Sequence, residues 1–306
     1  MSNEGKLMEQ RSSAPAEVDG ILHGAVDLHV HPAPSPFPRR LTLRDAAVQA
    51  AEAGFLAIVV KSHHHSMVTD VIAVDQAVGG LPLPVYSGIP LNSTVGGLNV
   101  HAVEMTLALG GKAVWFPTIS ATKHMCLHEE LNFPDPAITM RDPEAVPVLD
   151  EDGKLLPAAR EIIDLIRAHD AILMAGHSDA STVDALIDGA LAAGVERIVV
   201  NHPNFVVGAD LEICRSWARR GVTLEHSLCM YDERSHLSQA SLDELLAYID
   251  IAGPEHTIFG SDLGQAGNPF PVESYRLILG LLLERGIAAD DLHTMCAVNG
   301  ARLLGA

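Results

Sequence analysis

Short apolar runs alternate with longer, alanine- and leucine-rich stretches along the chain from Ile21 onward. Each run ends in a polar or histidine-rich segment, and a glycine or proline precedes the next run. Continuously apolar runs of this length are typical of buried parallel strands, and the longer stretches are typical of helices that cover them. The pattern predicts eight strands, at residues 27–31, 57–61, 85–88, 113–116, 171–176, 197–200, 222–225 and 257–260.

Helices are predicted between and after these strands, at residues 43–53, 70–78, 100–109, 158–169, 181–193, 209–220, 242–249, 271–285 and 290–304. Thr42 is the expected N-cap of the first helix, and Gly54 is expected to end it. Eight strand-helix units in 306 residues fit a closed α/β fold, the (β/α)8 TIM barrel, better than an open doubly wound sheet. The absence of GxGxxG after the first strand and of GxxxxGK[ST] anywhere weakens the nucleotide-binding alternative.

The chain is predicted to form one domain behind a short tail. Residues 1–18 are small and polar without periodicity and predict a disordered tail, and residues 19–306 predict a single barrel domain. Long loops are expected at 89–99 and 118–157, and residues 148–156 within the second predict a hairpin that turns at an Asp-Gly pair. The second loop is expected to form a lid or an oligomer contact, with a solvated insertion as the alternative.

Composition narrows the classes of partner. A net charge of −19 argues against nucleic acid and anionic membranes, which select basic surfaces. No apolar run approaches the roughly 20 residues that span a bilayer, and the first twenty residues lack the apolar segment of a signal peptide. The four cysteines lack CxxC spacing and predict reduced thiols in or near the core, at positions 126, 214, 229 and 296. We therefore expect a cytoplasmic protein, and the apolar final helices are compatible with a homo-oligomer.

Candidate chemistry begins with His29 and His31, which face the same side of the first strand because side chains alternate along strands. Alone, such a pair more often has no function. In a β/α barrel, however, the active site forms at the carboxyl ends of the strands. Half of the sixteen histidines fall at five of these ends, and Asp262 follows a sixth; the candidate residues at the six ends are His29, His31, Lys61, His63, His64, His65, His177, His202, Glu225, His226 and Asp262.

This distribution predicts a catalytic metal site. Three or four nitrogen and oxygen ligands with one open position suit a divalent ion, for which zinc is expected and manganese, iron or nickel are alternatives. The predicted ligands are His29, His31, His177 and Asp262, with His202 as a further ligand or as a base. A bound ion lowers the pKa of a water to about 7 and polarises a carbonyl. Asp262 is then expected to take the proton and pass it to the leaving group, with His202 stabilising the oxyanion.

Several motifs at these strand ends resemble those of the amidohydrolase superfamily of metal-dependent hydrolases. The resemblance rests on DLHVH, AGHS, VVNHPNF, GSDLGQ and the closing MCAVNGARLLG, and it extends over residues 24–306. Together with VVKSHHH, the Gly-Gly-Leu-Asn at 96–99 and VWFPT, they are similar to an uncharacterised branch. The resemblance implies a TIM barrel that hydrolyses a small molecule with one or two metal ions.

One departure from that pattern concerns the metal count. Binuclear members carry a bridging lysine or glutamate on the fourth strand, where this chain reads AVWFPT. A single ion is therefore expected, unless a carboxylated Lys61 supplies the bridge. The simpler alternative is a Lys61 ammonium that binds an anionic substrate group. Candidates for a second metal or for substrate binding are Lys61, His63, His64, His124, Glu225 and Asn99.

The alternation of side chains along a strand limits which of these candidates can face the site. His63, His64 and His65 cannot all face the site, and Glu225 and His226 point to opposite faces of one strand.

The leading functional hypothesis is hydrolysis of an amide or cyclic amide C–N bond. Ester, lactone or phosphoester hydrolysis and metal-dependent decarboxylation need the same groups, and a ligand-binding barrel without catalysis or a metal-free enzyme with a histidine base are further alternatives.

Overall fold

The computed structural model describes residues 16–127 and 136–306, in which parallel strands alternate with helices. The strands are β1 (Val26–Val30), β2 (Ala57–Val60), β3 (Val85–Tyr86), β4 (Gly88–Pro90), β5 (Ala113–Trp115), β6 (Ile172–Met174), β7 (Ile198–Asn201), β8 (Thr223–Ser227) and β9 (Thr257–Gly260). The helices are α1 (16–22), α2 (Leu43–Glu52), α3 (Val68–Val78), α4 (Val100–Ala108), α5 (Thr122–Leu127), α6 (Pro157–Ala168), α7 (Ala180–Ala193), α8 (Leu211–Arg219), α9 (Leu242–Ala252), α10 (Pro271–Glu284), α11 (Ala289–His293) and α12 (Asn299–Leu304).

All strand pairs are parallel, in the order β1-β2-β3 and β4-β5-β6-β7-β8-β9. β3 and β4 are two parts of the third predicted strand, which is interrupted at Ser87, whose hydroxyl donates to the Val60 carbonyl oxygen at 2.7 Å. The first and last strands meet where the Asp262 amide donates to the His29 carbonyl oxygen at 2.7 Å and Val30 bridges Leu263. The sheet therefore closes into the predicted (β/α)8 barrel.

Alternate strand residues fill the barrel interior. Leu28, Val59, Trp115, Met174 and Val199 are fully buried in one apolar cluster. Their neighbours along the strands pack outward against the helices, as the continuous apolar pattern predicted. The interior is thus a packed core, and polar chemistry is left to the strand ends.

The boundaries of several elements differ from the predictions. Residues 1–15 of the predicted tail lie outside the described residues, whereas residues 16–18 belong to α1, and Val18 is buried against the barrel. The predicted last helix is divided into α11, a π-helical segment and α12. The hairpin in the second long loop is confirmed by an antiparallel bridge between Leu149 and Leu155.

The predictions from composition are met in part. Three cysteines are buried, but Cys126 is exposed because α5 turns His124 inward and the residue two positions later faces away. Among the helices of residues 16–127 and 136–306, none is long and apolar enough to cross a membrane. The cytoplasmic location and the homo-oligomer stay predictions.

Gly300 permits the closing helix to lie directly on the barrel. A Cβ added there would lie 2.6 Å from the Val26 Cβ, which belongs to a buried strand and cannot move away freely. We expect Gly300→Ala to lower the free energy of unfolding by about 1–3 kcal/mol through overpacking, although alanine is the better helix former. Urea denaturation measures the change.

Gly280 provides the matched control, because it also lies within a helix but has room for a side chain. An added Cβ would meet only Val18 Cγ2, at 3.9 Å. Gly280→Ala is expected to raise the free energy of unfolding by about 0.5–1 kcal/mol. The packing explanation fails if the two substitutions change stability in the same direction.

Candidate metal centre

Three side chains from the first and last strands converge at the carboxyl end of the barrel. His29 Nε2 lies 3.3 Å and His31 Nε2 lies 3.0 Å from the Oδ1 atom of Asp262. All three offer a ligand atom within a sphere that one metal ion could share. Both imidazoles are almost fully buried, whereas the Asp262 side chain is 17% exposed. The two histidines are therefore shielded from solvent, and Asp262 is reached from the cavity.

A hydrogen bond from Nδ1 of His29 and of His31 orients each ring so that its other nitrogen, Nε2, faces the site. His29 Nδ1 donates to Glu225 Oε1 at 2.7 Å, and His31 Nδ1 donates to the Lys61 carbonyl oxygen at 2.9 Å. Because a neutral imidazole has a single N–H, both Nε2 atoms then present lone pairs. Partners of this kind orient histidine ligands in metal sites.

Electrostatics makes this arrangement suited to a cation. Burial lowers the pKa of His31 to about 3, so its ring is neutral at pH 7. Its Nε2 has no hydrogen-bond donor in the part of the chain that the structure describes, yet faces a carboxylate oxygen at 3.0 Å. Lone pairs and a carboxylate that face one another fit a divalent metal ion.

Glu225 supports His29 and does not line the cavity. Its carboxylate accepts from the His29 ring, from the Ser227 hydroxyl at 3.1 Å and from the Asn201 amide. Burial would raise the pKa of Glu225, but the His29 ring beside it lowers the pKa to about 2, so the group is ionised. The prediction that Glu225 binds a second metal or substrate is replaced by a positioning role.

Backbone conformation and a small residue bring these groups together. His202 and Asp262 have φ values of 48° and 52°, a left-handed region that non-glycine residues rarely adopt and that is frequent at functional sites. Gly260, the last residue of β9, packs against Glu225 and His29. A Cβ there would lie 2.8 Å from both Glu225 Oε1 and His29 Cβ. The glycine therefore lets the carboxylate approach the ligand histidine.

Lys61 and His202 stand beside the three ligands. Lys61 Nζ lies 3.2 Å from His29 Nε2 and 5.4 Å from the centre of the Trp115 ring. Burial lowers the pKa of Lys61 to about 8. His202 Nε2 lies 3.7 Å from Asp262 Oδ2, and burial lowers its pKa to about 4. Both side chains line the cavity in front of the metal candidate.

A second group of histidines lies farther around the cavity wall. The His177 and His124 rings stack, with their Nδ1 atoms 2.9 Å apart, and burial holds the pKa of His177 well below its usual range. His63 stacks on His31 at 4.8 Å between ring centres and contacts the Thr118 hydroxyl. His177 thus lines the cavity but lies outside the group of His29, His31 and Asp262.

Other predicted candidates lie away from the cavity. The Asn99 side chain accepts from the Ala102 amide and donates to the Val95 carbonyl, so it caps α4, and we remove it from the site. His64 turns to the Phe37 ring and His65 to Asp70, so of the three consecutive histidines only His63 lines the cavity. His226 packs against two tyrosines behind the barrel wall, as strand parity with Glu225 requires.

The structure also adds cavity residues that the sequence did not single out. These are Phe37, Arg39, Phe205, Val206, Cys229, Met230, Leu237 and Gln265. They lie in the loops after the first, sixth, seventh and eighth barrel strands. Phe205 and Gln265 belong to the motifs VVNHPNF and GSDLGQ, and the others stand outside the motifs. For those others the available signal was position alone, because loops at the carboxyl ends of barrel strands form the site. Cys229 Sγ lies 3.8 Å from Asp262 Oδ2.

A substitution at Glu225 tests whether the carboxylate orients the ligand. Glu225→Gln is expected to weaken zinc binding about 10- to 100-fold, the usual cost of losing an outer partner of a metal-bound histidine. Competition with a chromophoric chelator measures the affinity. The surface substitution Glu284→Gln should leave it unchanged, and an unaltered affinity in Glu225→Gln would show that His29 needs no such partner.

The barrel and the group at its mouth define this molecule as a β/α-barrel protein with a candidate divalent-metal site built on a His-x-His pair and an aspartate. Residues 24–225 match the family model described as a family of unknown function, DUF6282. The chain belongs to that family. A comparison with curated proteins found no match.

Solved structures with similar folds include several whose names describe hydrolases. An amidohydrolase from Pseudomonas aeruginosa is 13% identical with a TM-score of 0.62, over 95% of this chain and 98% of that chain. The "probable dipeptidase PvdM" of the same organism is 11% identical, also with a TM-score of 0.62, over 96% and 98%. The organophosphorus hydrolase of Deinococcus radiodurans is 14% identical with a TM-score of 0.54, over 92% of both chains. At these identities the similarity shows the fold.

Proposed function

We propose that this protein is a metal-dependent hydrolase that cleaves the C–N bond of a small amide or cyclic amide. The observation that carries the proposal is the convergence of His29 Nε2, His31 Nε2 and Asp262 Oδ1 at the end of the barrel. The hydrolase names of proteins with similar folds support it. So does the carboxylate placed beside the open side of the group, where a water needs a proton acceptor.

His29, His31 and Asp262 would hold the ion, for which zinc is the first choice. When bound, a divalent ion polarises a carbonyl and makes a water acidic near neutral pH. Asp262 Oδ2 lies 3.7 Å from His202 Nε2 and accepts a weak hydrogen bond from Cys229 Sγ at 3.8 Å. It would orient the attacking water, accept its proton and return it to the leaving nitrogen. The Nδ1 atom of His202 lies 2.8 Å from the Ser227 hydroxyl, and its Nε2 is directed into the cavity. The ring is neutral at pH 7, so it would donate to the developing oxyanion only after it takes the proton that Asp262 accepts from the water.

Lys61 leaves the metal count open between one and two. As an ammonium it would add positive charge to the cavity beside a single metal ion. As a carbamate it would supply the bridge that the fourth predicted strand lacks, and His177 and His202, which also line the cavity, would be the candidate ligands of a second ion. Elemental analysis combined with intact-mass measurement distinguishes the two, because a carbamate adds the mass of one CO2 and accompanies two ions per chain.

A substrate panel tests the proposed reaction. The protein is purified, stripped with a chelator, reloaded with zinc and assayed on matched amides, cyclic amides, esters, lactones, phosphotriesters and carboxylic acids. We expect turnover of amides or cyclic amides that disappears on chelation and returns with zinc. Turnover confined to esters, lactones or phosphotriesters would change the bond assignment. Release of CO2 would indicate a decarboxylase, activity that survives chelation would indicate a metal-free enzyme, and binding without turnover would indicate a ligand-binding barrel.

A further inference from the structure

Arg39 brings a positive charge into the cavity from the loop that follows β1. The loop is fixed against the loop after β9, because Arg39 and Gln265 form an antiparallel bridge and the Arg40 amide donates to the Gly264 carbonyl oxygen at 2.8 Å. Arg39 and Gln265 both line the cavity beside the metal candidate. The position of the guanidinium is therefore set by the loops that follow β1 and β9, the two strands whose carboxyl ends supply the candidate metal ligands.

The guanidinium of Arg39 has a hydrogen-bond donor without a partner. Its Nε atom is buried and has no hydrogen-bond partner, and within residues 16–127 and 136–306 no carboxylate lies within 4.0 Å of it. Its Cζ lies 5.9 Å from the centre of the Phe37 ring. Burial lowers the pKa of Arg39 to about 10, so the group is charged at pH 7. A buried charge with an unsatisfied donor favours a ligand that supplies acceptors.

The neighbouring Arg40 shows what a structural arginine looks like in the same loop. Its guanidinium stacks on the Phe270 ring, with Cζ 3.6 Å from the ring centre, and donates to the Asn268 carbonyl oxygen. It points away from the cavity and is occupied by the fold. The contrast between two adjacent arginines identifies Arg39 as the one available to a ligand.

The charges around the cavity favour an anion. Apart from histidines, the charged side chains that line it in the described part of the chain are Arg39, Lys61 and Asp262, two cations and one anion. A divalent ion would raise the excess of positive charge further. Apart from Cys229 and Gln265, the remaining residues of the lining are apolar and include Phe205, Met230 and Leu237. A ligand that fits this cavity therefore combines a single anionic group with an apolar substituent.

We propose that Arg39 is the specificity residue of the site and binds the carboxylate of an acylated amino acid or of a carboxylated cyclic amide. This inference rests on the proposed function. The planar guanidinium matches a carboxylate with two parallel hydrogen bonds. The apolar group of the substrate then packs against Phe205, Met230 and Leu237, and the amide is presented to His29, His31 and Asp262.

Paired ligands that differ only in the anionic group test the role of Arg39. The zinc-loaded full-length protein is measured with N-acetyl-L-leucine and N-acetyl-L-leucinamide, and with L-pyroglutamate and its carboxamide. Steady-state kinetics gives KM and kcat where turnover occurs, and calorimetry gives Kd where it does not. We expect the carboxylate member of a pair to be preferred at least 10-fold.

The substitution Arg39→Gln is expected to raise KM or Kd for the carboxylate about 10- to 100-fold and to remove the preference, with kcat and zinc content little changed. Arg39→Lys should recover part of the loss, because it keeps the charge and loses the paired geometry. Arg44→Gln, at an exposed arginine five residues later, should behave like the wild type.

The outcomes separate this inference from the proposed reaction. If the protein hydrolyses the carboxylate and carboxamide members of a pair equally well, the Arg39 assignment is wrong and the proposed hydrolase activity is retained. Arg39-dependent binding of the carboxylates without hydrolysis overturns the hydrolase and leaves the assignment standing. A preference that persists in Arg39→Gln, or no binding of either member at millimolar concentration, overturns the assignment.

Discussion

Replacing Asp262 with Asn is expected to lower kcat/KM about 10²- to 10⁴-fold on any substrate that the zinc-loaded protein turns over. The amide keeps an oxygen for the metal but can no longer accept the proton of the attacking water, and proton transfer of this kind contributes that range of rate. His29 and His31 remain in place, so at saturating zinc we expect most of the metal to stay bound. Stopped assays and elemental analysis of the same preparation measure both quantities.

A surface aspartate serves as the control for this substitution. Asp188→Asn removes a carboxylate that pairs with Arg220 on the outside of the barrel and should leave both the rate and the metal content unchanged. Rapid turnover by a metal-loaded Asp262→Asn protein would remove Asp262 from the role of base. A binding protein without catalysis would instead show unchanged ligand affinity in this variant.

Zinc is expected to stabilise the wild-type protein and not the His31→Ala variant. An ion that binds only the folded chain adds about 2.7 kcal/mol at a free concentration one hundred times its Kd. Removing the His31 imidazole leaves His29 and Asp262, too few ligands for a tight site. Thermal unfolding with and without zinc should therefore show a rise in Tm of several degrees for the wild type and little or none for the variant.

His101 provides the corresponding control, because it is an exposed histidine on α4 and is not among the residues that line the cavity. His101→Ala should retain the full zinc-dependent rise in Tm. An equal rise in His31→Ala would mean that zinc binds elsewhere and would contradict the assignment of the site. Isotope-dilution zinc analysis on the same samples relates any rise to the number of ions bound.

The hydrophobic pattern predicted mostly apolar parallel strands covered by helices, and the count of eight strand-helix units favoured a closed barrel over an open doubly wound sheet. It could not predict the interruption at Ser87, since a hydroxyl that bonds the neighbouring strand leaves the hydrophobic pattern unchanged. Nor could it predict the division of the last helix. The residues there keep helical spacing, and the π-helical segment 294–298 depends on how the closing helices meet the barrel.

The sequence predicts a site residue correctly where the alternation of side chains along a strand determines its direction. It does not where the direction depends on contacts with distant parts of the chain. Parity placed His29 and His31 on one face and separated Glu225 from His226. It could not show that Glu225 would serve His29, because that contact joins residues 196 positions apart. Asn99 was misjudged because a polar residue after a strand can also begin a helix. Arg39 was missed because loop residues take their direction from contacts that have no periodicity.

The seam between the first and last strands gives the metal site a place in the folding of the chain. His29 and His31 are contributed near one end of the sequence and Asp262 near the other, and the Asp262 amide is itself bonded to the His29 carbonyl. During synthesis, the histidine pair therefore emerges more than two hundred residues before the aspartate that completes the group. Full metal affinity can develop only after the last strand docks, so zinc binding should report barrel closure as a distinct, late event in refolding.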